Sequence, residues 1–173
     1  DAPVVLDSLF DATNRYRLFH EHIMPVLWGM REELEKLYCS DNGREAIEPV
    51  IMAGATVLQY MENMPDRLAA EAIRLHLGWK FGLGLPLDYA GFHSTSLVVF
   101  RRRFLAAGLE TLVFDAVLEA LHKAGLVKRR NKQRIDSTHI MGNVAKLRRL
   151  ELVRETIRLA VELARGRTGS GID

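Results

Sequence analysis

The residue with the greatest chemical reach in this sequence is Asp136. It lies in Arg134-Ile135-Asp136-Ser137-Thr138-His139-Ile140, a short β-branched run that is the best strand candidate in the chain. Directly before it, residues 128–134 read Lys-Arg-Arg-Asn-Lys-Gln-Arg, five cations in seven positions with no acid. A carboxylate on a strand behind such a run is placed to hold a divalent metal close to phosphates, the arrangement that two-metal phosphoryl transfer requires. One carboxylate is not a complete site, and Asp136-Ser137-Thr138 equally suits a cap or turn. His139 has two readings as well, metal ligand or packing residue, and His20, His22, His76, His93 and His122 show no ligand spacing with it. Cys39 is the single cysteine, which excludes an internal disulfide and a cysteine-built zinc site.

The cations form two groups. Lys128, Arg129, Arg130, Lys132 and Arg134 precede Asp136, where each could neutralise a phosphate and release counterions, or simply be solvated as a linker. Few aromatics interleave them, which argues against base stacking of the single-strand type. Arg101, Arg102 and Arg103 fall in a helical pattern whose apolar face is Leu97, Phe100 and Phe104. At 100° per residue Arg102 points away from that face, with Arg101 and Arg103 flanking it. Such a helix suits phosphate contact or a major groove, and equally an ordinary solvated face.

Charge along the whole chain supports a polyanionic partner more than the net +2 suggests. Residues 1–127 hold 12 Lys and Arg against 17 Asp and Glu, a net of −5, whereas residues 128–173 hold 12 against 5, a net of +7. The 173 residues, 48% hydrophobic and 27% charged, suit a globular domain or a domain plus part of another. No apolar run reaches the length of a membrane span and no leader pattern opens the chain, so a cytoplasmic protein is expected.

Helical periodicity must position these groups, because apolar residues recur three and four apart nearly throughout. The spacing predicts a core helix over 45–61, with Gly54 as a close-packing point, and a helix over 20–38 kinked or started near Pro25. Met64-Pro65-Asp66 opens a helix to about Leu77, followed by a glycine-punctuated loop over 78–93. Ser94 or Thr95 then caps the basic helix, Gly108 stops it, and a long amphipathic helix runs from Leu109 to Gly125. A last helix is expected over 146–165 and a disordered Gly-rich tail over 166–173. A helix, a connection and a basic helix weakly resemble a helix-turn-helix, although the connection is much longer than in that motif.

Several of these segments, in this order, resemble the N-terminal part of bacterial insertion-sequence transposases of the DDE type. The run from Ser94-Thr95-Ser96-Leu97 through Phe100-Arg101-Arg102-Arg103-Phe104 is similar to the family's serine/threonine-then-Phe-Arg-x-Arg-Leu signature. Pro65-Asp66-Arg67 to Leu85 resembles its helix and glycine-rich loop. Val127, residues 135–140 and Arg149-Leu150-Glu151-Leu152-Val153-Arg154-Glu155-Thr156 are similar to the segments beyond that signature in one branch of the family. The resemblance implies a mainly α fold, a helical bundle over 1–127 that contacts transposon-end double-stranded DNA. It further implies a basic linker and the start of an RNase H-like domain over 128–165. There, Asp136 corresponds to the first acid of an Asp-Asp-Glu set that binds Mg²⁺ or Mn²⁺. The 37 residues after Asp136 are too few for the other strands and acids, so a portion inactive in strand transfer by itself is expected. Glu151, Glu155 and Glu162 have the helical spacing of ion pairs with Arg154 and Arg158 and are not taken as the missing ligands. Homo-oligomers are expected with the family. A helical self-association module, built on the apolar helices 45–61 and 109–124 with solvated basic segments, is the alternative.

Overall fold

A computed structural model describes residues 2–38 and 47–127. Among them the structure is helical, with no strands. The strand expected around Asp136 and the helix expected over 146–165 lie outside the described residues, as do Cys39, His139 and the tail.

A short helix, α1 (Ala2–Val5), and a 3-10 turn (Asp7–Leu9) lead to Asn14, whose side chain accepts from the Tyr16 N–H at 2.9 Å and so starts α2 (Arg15–Leu18). A wide π-helical turn (Phe19–Ile23) continues directly into α3 (Met24–Gly29). Pro25 explains that turn. Its ring would strike the carbonyl four residues back in a regular α-helix and it has no N–H to offer, so the extra residue per turn removes the conflict. The single helix expected over 20–38 is therefore divided, with a further break at Met30 before α4 (Arg31–Glu35).

The central element is α5 (Pro49–Glu62), in which Pro49, Val50 to Thr56, Leu58 and Gln59 are all buried. A helix apolar on every side has to be surrounded, and α3, α4 and the next three helices after α5 all pack on it. Gly54 permits the closest approach. A Cβ there would lie 2.7 Å from Leu83 Cδ2 and 3.0 Å from Met24 Sδ, in agreement with the close-packing role expected of it. Asn63 in the left-handed region ends α5, with the Met64 N–H reaching back to the Gln59 carbonyl at 3.0 Å.

After α6 (Asp66–Leu75) the chain extends for one residue at His76 and then forms α7 (Leu77–Leu83), where a loop was expected. The glycines mislead here. Gly78 and Gly82 each cost a helix about 1 kcal/mol, whereas complete burial of a side chain such as Phe81 or Leu83 contributes about 1.5–3 kcal/mol. Trp79, Phe81 and Leu83 are all essentially buried, so burial outweighs propensity. Glycine is required at position 78 for space, because the Tyr16 ring lies where its Cβ would be. The loop proper is residues 84–93, clasped from below by the buried Lys80, whose Nζ donates to the Tyr89 carbonyl at 3.0 Å. Burial pushes this ammonium group's pKa down.

The last two described helices are α8 (Ser94–Ala106) and α9 (Leu109–Lys123), joined at Gly108, which has φ +67°. They bury the expected faces: Leu97, Phe100 and Phe104 on α8, and Val113, Val117 and Leu121 on α9. α9 closes the bundle against α8, α3 and the π-helical turn. The apolar residues of α5 are thus used inside this chain's own core.

Replacing Gly78 by Ala is expected to lower unfolding stability by about 1–3 kcal/mol, the usual cost of overpacking. Gly29→Ala, at a helical position with nothing within 4 Å of the added atom, is expected to be neutral or slightly stabilising. Urea unfolding of both variants checks the pair.

Candidate nucleic-acid interface

The basic helix α8 is started by His93 rather than by Ser94 or Thr95. Its Nδ1 accepts from the Thr95 N–H at 3.3 Å and lies 2.9 Å from Thr95 Oγ1. Imidazole is outside the usual set of capping side chains, so the hydroxyls were the natural expectation. From this start the burial of Leu97, Phe100 and Phe104 sets the rotation of the helix and thereby the directions of the three arginines.

Those arginines have three different situations. Arg101 is partly buried and makes a two-pronged contact with Asp66 at the start of α6, Nη1 to Oδ1 at 2.7 Å and Nη2 to Oδ2 at 2.8 Å. Its Nη1 also donates to Gln59 Oε1 at 2.9 Å. Gln59, buried at the end of α5, donates in turn to Asp66 Oδ1 at 2.6 Å and to the Met64 carbonyl at 3.1 Å. Three helices therefore meet in one charge-assisted network, stronger than ordinary neutral hydrogen bonds. Arg101 holds the Asp66 carboxyl below its ordinary range through these hydrogen bonds, against the opposing effect of burial.

Arg102 is exposed on the face opposite the core, as helical geometry predicts, and makes no hydrogen bond or ion pair among the described residues. Arg103 is exposed as well, its guanidinium 5.6 Å from the centre of the Tyr38 ring and its Nη1 3.5 Å from the Leu37 carbonyl. Two of the three arginines are thus open to solvent. Lys128, Arg129, Arg130, Lys132, Arg134 and Asp136 lie outside the described residues.

The exposed cations of α6 were missed in the sequence. Arg67 and Arg74 are both exposed and, seven residues apart, share a face of that helix about 10.5 Å apart along the axis. Their spacing was the available signal, obscured by Glu71 between them. Elsewhere the cations serve the fold: Arg17 pairs with Asp7 at 2.7 Å and Arg31 with Glu48 at 3.1 Å. The Glu62 side chain, only 7% exposed, accepts from Tyr16 Oη at 2.6 Å and Trp79 Nε1 at 3.0 Å. Burial, followed by that bond to Glu62, raises the pKa of Tyr16. Among the described residues no three His, Cys, Asp or Glu side chains gather as a metal site, and no helix is long and apolar enough to cross a membrane.

This arrangement defines a small helical domain that presents one basic helix on a tightly fixed frame. Residues 4–103 match the family model described as transposase domain (DUF772), more than half of the chain. The chain belongs to that family, which gives it a role in transposition and is consistent with the N-terminal part of an insertion-sequence transposase. No curated protein and no solved structure matches it.

Asp66 contributes to stability above its ordinary pKa near 3.9, and this contribution is lost as pH falls through its lower folded value. Asp66→Asn is therefore expected to be less stable than wild type at pH 6, with the difference shrinking towards pH 2. A double-mutant cycle with Arg101→Met should return a coupling of about 1–3 kcal/mol at pH 6, measured by chemical denaturation across the pH series.

Proposed function

We propose that this chain is the DNA-binding N-terminal portion of a DDE transposase and recognises the duplex ends of its element. The observation that carries this reading is the basic helix α8: within the matched transposase domain, its apolar face is locked into the core while Arg102 and Arg103 remain exposed. Exposed guanidinium groups on a rigid helix bind phosphates with two-pronged hydrogen bonds and need little reordering to do so. Arg101 is a positioning residue in this reading, since Asp66 and Gln59 already engage it. The basic run of Lys128, Arg129, Arg130, Lys132 and Arg134 extends the phosphate contacts towards Asp136.

Asp136 is assigned the role of first acid in a Mg²⁺- or Mn²⁺-binding set. That part of the reading is supported by the motif order of residues 94–156 and by the chemistry of a carboxylate behind a cationic run. Bound there, the metal would stabilise charge on the attacking and leaving oxygens during strand transfer.

Gel-shift titration against duplex transposon-end DNA over a salt series tests the DNA reading. Affinity is expected to fall steeply with salt, and Arg102→Gln with Arg103→Gln is expected to reduce the log–log slope by about 2. Binding that is absent at low salt, or indifferent to salt, would overturn it. For the chemistry, Asp136→Ala is expected to abolish metal-dependent strand cleavage in any preparation competent for it while leaving duplex affinity intact.

A further inference from the structure

We infer that the cleft between α6 and α8 is a second phosphate-binding surface, which grips the sugar-phosphate backbone of the duplex beside the exposed arginines of α8. The inference rests on the DNA-binding reading and adds a site to it.

The cleft is open and has a volume of about 1130 Å³, larger than the usual 300–1,000 Å³ of small-molecule sites. One wall is α6, carrying Arg67, Glu71 and Arg74; the other is the start of α8, carrying Thr95 and Val98, with residues 90–93 closing one end. The α6 residues recur at i, i+4 and i+7 and so line a single helical face. On α8, Arg102 comes four residues after Val98, so the stripe that enters the cleft continues into the exposed arginine of the basic helix.

The charges in the cleft favour an anion. Asp66, at its edge, is neutralised by Arg101. Arg67 and Arg74 remain in the lining, with Arg102 one turn beyond Val98 on α8, all three exposed and without an ion pair or hydrogen bond among the described residues, against the one open carboxylate of Glu71. Cations dispersed along an open groove match a polymer of regularly spaced phosphates better than a compact ligand. The walls are also held in place. The Asp66, Gln59 and Arg101 network ties one to the other, and Lys80 clasps the loop that forms the end. A surface fixed before binding loses less entropy on contact with DNA.

The test uses the whole chain, the same duplex and the same salt series, with Arg67→Gln/Arg74→Gln, Arg74→Gln alone, Glu71→Gln, and Lys123→Gln as an exposed control outside the cleft. The double variant is expected to bind about tenfold more weakly at low salt and to lose about 2 from the slope. Arg74→Gln should lose about half of that, Glu71→Gln should bind more tightly than wild type, and Lys123→Gln should leave the slope unchanged. Unaltered melting temperatures establish that the variants are folded, and the opposite sign for Glu71→Gln would not arise from a loss of structure. If wild type binds in a salt-dependent way while the double variant and Glu71→Gln keep its affinity and slope, the cleft is not a DNA site and the reading of α8 stands. Should the double variant instead dissociate a wild-type oligomer in light scattering with DNA affinity intact, the cleft takes a second copy of the chain and the inference is overturned. Absence of wild-type binding removes the DNA reading itself, and the cleft with it.

Discussion

The contact between Asp66, Arg101 and Gln59 is the constraint on which the arrangement of this domain depends. It joins the end of α5, the start of α6 and the middle of α8 through charge-assisted hydrogen bonds of 2.6–2.9 Å. The participants are partly buried, so solvent and salt screen them less than an exposed pair. Apolar packing alone would allow α6 and α8 to slide along one another with little loss, because hydrophobic burial is non-directional. A two-pronged guanidinium contact does not tolerate such sliding, and it fixes the two walls of the cleft against one another.

Around that junction the domain divides its polar groups between structure and surface. The Glu62 side chain is almost fully enclosed, and it is accommodated because Tyr16 and Trp79 both donate to it while Arg15 lies 3.7 Å away. Lys80 is similarly enclosed and is directed at carbonyls of the loop at residues 84–93. Burying such groups without partners would cost several kcal/mol, so their partners explain how a core this size holds two ionisable side chains. Of the cations left outside, Arg103 lies against Tyr38, whereas Arg67 and Arg74 line the α6–α8 cleft on the side of α8 that also carries Val98 and Arg102. Membership of the transposase domain family gives that side its context.

Much of the architecture could be read directly from residue spacing. The apolar repeats defined α8 and α9 closely and the body of α5, which starts at Pro49 rather than at 45, and Leu97, Phe100 and Phe104 are buried as their spacing requires. Gly54 was recognisable as a packing point because a lone glycine inside an apolar helix has few other uses. Motif order, more than any single motif, led to the family. What could not be read was α7. Local chemistry at Gly78 and Gly82 favours a loop, and only the burial of Trp79, Phe81 and Leu83, together with the Tyr16 ring on Gly78, makes the helix worthwhile.

The sequence by itself determined the helical class and the rotation of α8 about its axis, which depend on near-neighbour spacing, and the family, which depends on the order of motifs along the chain. Tertiary structure alone decided which of the two flanking arginines is available. Helical spacing turns Arg102 away from the core and sets Arg101 and Arg103 alike on its flanks, yet Asp66, 35 positions away in sequence, engages Arg101 while Arg103 stays exposed. The cleft is of the same kind. Arg67 and Arg74 become part of one surface with Thr95 and Val98 only when α6 and α8 are packed side by side, and no periodicity within either helix records that pairing.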